Sequence, residues 1–166
     1  MLILHQATRH QLSALLEQPE RSEIDELRLP DSEEIAPRFL LEFVIDRLSR
    51  DPENNFWWSP RLIVVDQLIV GMCGFKSPPD INGSVEIGYG IVASQQSQGF
   101  ATQATHLLVE EGFSNSEIKA IVAYTIPSNL ASWRVLEKNQ FMRSGSKIDP
   151  EDGEVWIWQR IRLNRF

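Results

Sequence analysis

Residues 85–101, VEIGYGIVASQQSQGFA, restrict the fold more than any other stretch: a short apolar strand runs directly into Gln96-x-x-Gly99-x-Ala101 and then into a helix. The first four N–H groups of a helix lack internal partners, and the aligned peptide dipoles add partial positive charge there. Such an end accepts an anion, a phosphate in particular. Gly99 permits close backbone approach, Ala101 keeps the first turn thin, and Gln96 and Gln98 add neutral donors. Taken alone, the six residues also fit an ordinary loop before an amphipathic helix, because short glycine patterns are weak signals.

The rest of the chain alternates strand and helix patterns. Met1 to Gln6 reads as a strand and Arg9 to Glu17 as a helix with Leu12, Leu15 and Leu16 on one side. Pro19 to Pro37 is acidic and proline-containing, which predicts a loop with a short helical turn. Arg38 to Arg50 places Phe39, Leu40, Phe43, Val44 and Leu48 at helical spacing, and Pro52 follows its end. Leu62 to Val65 and Leu68 to Phe75 form a hairpin about Asp66-Gln67. Asn82-Gly83 marks the turn before a strand over Val85 to Val92.

After a helix ending near Phe113 come a strand over Ile118 to Thr125, a helix over Asn129 to Asn139, and strands over Phe141 to Lys147 and Glu154 to Ile161, the last pair joined at Asp152-Gly153. The pattern is an α/β layered fold, a mixed sheet with helices on its faces. At 166 residues and 42% apolar content, one domain over residues 1–166 is expected.

Charge narrows the function classes. The net charge of −7 and the lack of a basic cluster argue against a nucleic-acid partner. No window approaches a membrane span and no signal-peptide pattern opens the chain, so a cytoplasmic location without a membrane partner is expected. The single cysteine, Cys73, excludes an intramolecular disulfide.

Gln96, Gly99 and Ala101 fill the Arg/Gln-x-x-Gly-x-Gly/Ala pattern, and Asn129-x-x-Ser132 followed by VLEKNQF forms a second segment downstream. With these motifs the chain resembles the GNAT N-acetyltransferases from about Leu68 to Arg162, most closely the branch containing the ribosomal-protein N-terminal acetyltransferases. The resemblance implies a mostly antiparallel mixed sheet with one splayed parallel strand pair, acetyl-CoA as acyl donor, and direct attack by an amine. The pantetheine arm would enter between Val85–Val92 and Ile118–Thr125. It would pair with the backbone of Ile91 and Val92, while Gln96, Ser97, Gln98, Gly99, Phe100 and Ala101 surround the pyrophosphate.

Amide formation from a thioester needs a neutral amine. At pH 7 an α-amine is about 10% neutral, whereas a lysine amine is neutral only about 4 times in 10,000, so a base matters most for lysine-like acceptors. Glu86 is the candidate base: period two sets it on one face with Gly88 and Gly90, which leaves open space around a half-buried carboxylate. It could act through a water. The other reading is a solvent-facing strand residue or a partner of a nearby cation. Asn129 and Ser132, three apart at a helix start, could hold a cofactor amide and donate to the departing thiolate, or could cap the helix, as Ser128 also could.

Two positions depart from the family pattern. Leu136 stands where many members carry a tyrosine that protonates the thiolate, and Gln140 replaces the glycine before Phe141. A thiolate leaves readily, since thiols ionise near pH 8.5, so the lost acid is tolerable. Cys73 reads as a buried apolar residue, and His5, His10 and His106 show no metal-ligand spacing. Asp149, Glu151 and Asp152 belong to a hairpin turn, so no metal is expected. Trp57 and Trp58 close the core or line an acceptor pocket.

The acceptor expected is an amine-bearing small molecule or a protein N-terminus, and the acidic surface mildly favours a cationic one. A homodimer is compatible with the chain. The alternative function is a non-catalytic acyl-CoA-binding or regulatory domain that keeps Gln96 to Ala101 and lacks the Glu86 chemistry.

Overall fold

A computed structural model of the chain describes residues 1–17 and 22–163. The strands are β1 (Leu2–Gln6), β2 (Glu23–Ile24), β3 (Leu27–Arg28), β4 (Arg61–Val65), β5 (Leu68–Phe75), β6 (Ser84–Ile91), β7 (Ala120–Thr125), β8 (Met142–Asp149) and β9 (Gly153–Ile161). The helices are α1 (Arg9–Glu17), α2 (Arg38–Arg50), α3 (Asn55–Trp58), α4 (Phe100–Ser114) and α5 (Leu130–Lys138).

The main path of the sheet runs β1-β4-β5-β6-β7-β9-β8, with β2 and β3 attached beside β5. Its neighbours are antiparallel except β6 and β7, which are parallel. Alternation along the strands gives each face its own helices. Val85, Ile87 and Ile121 pack against Ala104, Leu108 and Val109 of α4 on one side. Leu62, Val64, Ile69 and Met72 pack against Leu12, Leu41, Val44 and Leu48 of α1 and α2 on the other. Gly112 lets α4 lie close to the sheet, since a Cβ there would meet Ile121 Cδ1 at 2.9 Å and the Phe75 ring at 3.1 Å.

Arg61, omitted from the predicted strand, begins β4 with 1% exposure. Its charge is paired: Nε donates to Glu111 on α4 at 2.8 Å, and Nη1 donates to the Phe56 and Ser59 carbonyls at 2.7 and 2.6 Å. A buried charge is tolerated when it is paired and hydrogen-bonded in this way. The Asp66-Gln67 turn forms with both φ values positive, 47° and 66°, the conformation that matches the twist of a two-residue hairpin.

One expectation fails between Pro19 and Pro37. Instead of a loop with a helical turn, β2 and β3 make a hairpin of two-residue strands about Asp25 and Glu26, both left-handed. Burial of Ile24 and the pairing of Arg28 with Leu68 hold it to β5. Residues 19–21 of that segment lie outside the described residues.

A wedge opens in the sheet between β6 and β7. Strands β6 and β7 pair only at Ser84–Ala120, Val85–Ile121 and Glu86–Val122. Beyond Glu86, β6 stays with β5 to Ile91 while β7 stays with β9 to Thr125, so the two part.

Candidate active site

The wedge exposes a strand edge. Val92 N–H donates to Val70 O and Lys76 N–H donates to Glu86 O, both at 2.9 Å. Antiparallel alternation therefore turns the backbone groups of Glu86, Gly88, Gly90 and Val92 toward β5 and those of Ile87, Tyr89 and Ile91 toward the gap. Of the two positions expected to meet the arm, Ile91 faces the gap and Val92 does not. The Val92 carbonyl also accepts from Gln95 N–H at 3.0 Å. Tyr89, whose backbone does face the gap, was missed because the direction of backbone groups depends on which strand lies on which side.

At the wide end of the wedge the chain makes a one-turn 3-10 helix (Ala93–Gln95), becomes left-handed at Ser97 (φ 63°) and again at Gly99 (φ 81°), and enters α4. Gly99 is the N-cap and supplies no side-chain cap; the first helix bond onto it is Gln103 N–H to Gly99 O at 3.1 Å. The N–H groups of Phe100, Ala101 and Thr102 thus start the helix without intrahelical acceptors. Gln96 and Gln98 brace this loop more than they extend from it: Gln96 Nε2 donates to Ile91 O at 3.0 Å and Gln98 Nε2 to Gln95 Oε1 at 3.2 Å. Each amide retains a second N–H. Glu33 clamps the loop from outside by accepting from Ser94 N–H at 2.9 Å and from its hydroxyl, and these bonds hold the Glu33 carboxyl below its usual range.

Asn129 caps α5, accepting from Ser132 N–H at 3.1 Å, so Asn129 and not Ser128 takes the capping role. Its Nδ2 remains available beside the half-buried Ser132. The Tyr89 hydroxyl donates to the Ser132 carbonyl at 3.2 Å and thereby ties β6 to α5 across the gap. Burial pushes the Tyr89 hydroxyl up to about 12, so it stays a donor at neutral pH. Leu136 has no exposed surface and belongs to the core. Gln140, at the substituted glycine position, is left-handed with φ 62°, so the turn keeps the backbone shape a glycine would favour.

Glu86 sits at the narrow end of the wedge, the last β6 residue paired to β7. It shares a face with Gly88 and Gly90 as its spacing requires; the expected space is open beside Gly90, where a Cβ would meet nothing within 4 Å, but is taken up by Lys76 beside Gly88. Lys76 Nζ lies 2.6 Å from Glu86 Oε1, and a Cβ on Gly88 would meet Lys76 Cε at 3.2 Å. The β5–β6 register sets Lys76 across from Glu86.

A cavity of about 580 Å³ runs from Asn129 and Ser132 past Tyr89 and Gly90 to Leu40, Phe43 and Trp58. The two tryptophans divide: Trp57 is in the core and Trp58 lines the cavity. Cys73 also lines it but is 3% exposed, and burial pushes its thiol up to about 12, which leaves it a poor nucleophile. A thiol reagent at mildly alkaline pH should therefore leave Cys73 unmodified in the native protein and label it in denaturant. Equal labelling rates in both states would contradict this environment. Among the described residues, no group of three or more His, Cys, Asp or Glu is arranged to hold a metal ion, and no helix is long and apolar enough to cross a membrane.

A family model described as an acetyltransferase (GNAT) domain matches residues 2–142. An uncharacterized N-acetyltransferase, p20, of Bacillus licheniformis is 32% identical over 83 residues, 50% of this chain and 47% of that protein. The probable N-acetyltransferase YjcK of Bacillus subtilis is 37% identical over 103 residues, 60% and 54% of the two chains. The chain thus spans about half the length of the curated relatives it matches. Among solved structures, the aminoglycoside acetyltransferase AAC(6')-Ib in complex with coenzyme A and kanamycin superposes with TM-score 0.69 at 24% identity, covering 98% of this chain and 95% of that one. The RimL ribosomal-protein α-N-acetyltransferase in complex with coenzyme A gives 0.72 at 20%, covering 96% and 93%. At these identities the likeness is one of fold.

Proposed function

This chain belongs to the GNAT acetyltransferase domain family, and we propose that it is an acetyl-CoA-dependent N-acetyltransferase in which a primary amine attacks the bound thioester directly. The observation that carries this reading is the continuity of three features: an uncapped helix start at Gly99, a strand edge bared at Tyr89 and Ile91, and a cavity leading from that edge to α2. Acetyl-CoA, held there, supplies an acetyl group activated as a thioester.

In this proposal the N–H groups of Ser97 to Ala101 receive the pyrophosphate, with Gln96 and Gln98 keeping the loop in shape. The gap-facing amides of Tyr89 and Ile91 and the Tyr89 carbonyl pair with the extended arm as another strand would, the Ile91 carbonyl being held by Gln96 Nε2. Asn129 holds an arm carbonyl through Nδ2. Ser132 donates its hydroxyl to the departing sulfur, a task made lighter by the acidity of thiols. Glu86, fixed by Lys76 where the wedge closes, takes the proton of the attacking amine through a water. A cytoplasmic location fits the single buried thiol.

Ser132→Ala provides the test. Its expected effect is a roughly tenfold fall in turnover with acetyl-CoA affinity unchanged, at the low end for loss of a charge-stabilising donor because the leaving group is a thiolate. Equal losses in turnover and affinity would make Ser132 a binding residue only. In the wild type, acetyl-CoA binding with no acetylated amine formed would favour a non-catalytic acyl-CoA-binding domain.

A further inference from the structure

Part of the cavity wall is formed by Pro37, Leu40, Phe43 and Val44, with Trp58 and Met72. The rings of Phe43 and Trp58 meet edge-on at 6.2 Å, and the Arg47 guanidinium lies over both at 5.0 and 5.4 Å. Trp58 Nε1 donates to Asp51 at 2.8 Å, so this aromatic wall is braced by its own contacts. Among the described residues that line the cavity, Lys76 is the one whose side chain carries a charge, and none is Asp or Glu. Glu86 answers the Lys76 charge from 2.6 Å.

An ammonium brought here in addition to the reacting amine would meet no carboxylate, and a charge desolvated without a partner is strongly disfavoured. An apolar body is favoured by leaving water against the same wall. The acidic surface, which by itself favours cationic acceptors, does not alter this, because its field is largely screened beyond about 8 Å at physiological salt. Resting on the transferase reading above, the geometry points to an acceptor that carries one amine on an apolar, arylalkyl or branched-alkyl body and has no second positive charge. The body belongs to a free amine or to the N-terminal residue of a peptide.

The test offers phenethylamine, a leucyl dipeptide, spermidine and kanamycin to the protein with acetyl-CoA, reads acetylated product by mass spectrometry, and measures acetyl-CoA binding separately by calorimetry. Phenethylamine or the dipeptide should exceed spermidine and kanamycin in kcat/KM by about tenfold or more, because a site rejects what it leaves unpaired. Which of the two leads identifies the free or the peptide-borne source. Leu40→Glu should raise the spermidine-to-phenethylamine ratio about tenfold over Leu40→Gln by supplying the missing anion. If Leu40→Glu does not fold, Phe43→Ala, at a position 43% exposed, should lower phenethylamine transfer relative to spermidine. Preference for spermidine or kanamycin, or an unchanged ratio in the folded variant, overturns the acceptor class. So does binding of acetyl-CoA without transfer to any of the four when a wider panel of amines is acetylated, whereas failure to bind acetyl-CoA, or binding with no amine of any kind acetylated, overturns the transferase reading beneath it.

Discussion

Gly99→Asp is expected to weaken acetyl-CoA binding by about a hundred- to a thousand-fold while leaving the protein folded, since two like charges about 4 Å apart at an effective dielectric near 20 repel by about 4 kcal/mol. The site separates charge from bulk. A Cβ at Gly99 would meet only Gln103 Nε2, at 3.9 Å, so there is room for a side chain. The backbone is left-handed, with φ 81°, and Asp and Asn are the residues other than glycine that best tolerate that conformation. Gly99→Asn therefore has nearly the same shape and strain without the charge, and should retain most of the affinity. Calorimetry on both variants checks the account. Equal losses would assign the effect to the backbone, and unchanged affinity in Gly99→Asp would remove the phosphates from the start of α4.

Glu86→Gln should reduce turnover by about 10²–10⁴-fold, the usual worth of general base catalysis. The amide keeps the shape and can still accept from Lys76, but it cannot take a proton. The deficit should shrink as pH approaches the pKa of the acceptor amine, which is then neutral without assistance. Lys76→Met separates proton transfer from positioning. The Lys76 side chain is 56% exposed and that of Glu86 25% exposed, and partly exposed pairs of this kind contribute little to stability, so both variants should fold. If Glu86 works as a base, Glu86→Gln loses far more turnover than Lys76→Met. If the ion pair only shapes the end of the wedge, the two lose similar amounts with no pH dependence.

The sequence revealed most where one local pattern determines the outcome. Period-two alternation correctly sets Glu86, Gly88 and Gly90 on one face, and the positive φ at Gly99 is the conformation its glycine permits. Helical spacing located α2 with its buried Val44 and Leu48, but it passed over the buried Leu41 and included Phe39 and Phe43, which are exposed and do not join that core. Pairings between distant segments were hidden. Lys76 meets Glu86 through hairpin register, Val92 loses its N–H to Val70 because β5 lies on that side, and the apolar wall joins α2 and Trp58 to β5 and β6 across the fold. The β2–β3 hairpin was illegible for another reason: strands of two residues show no periodicity, and Asp25 and Glu26 turn left-handed without glycine. Asn129 served both as a motif residue and as a helix cap, and a helix-start pattern by itself does not separate those roles.

The central claim is direct transfer from acetyl-CoA to an amine within the wedge, with no acetylated protein in between. Thiol release from acetyl-CoA, followed with and without a saturating apolar monoamine and paired with intact-protein mass spectrometry in the same reaction, tests it most directly. The account expects release that depends on the amine, one thiol for each acetylated amine, and a protein mass that never gains an acetyl group. Amine-independent release accompanied by an acetylated protein, with the acetyl group then passing to the amine, would contradict it.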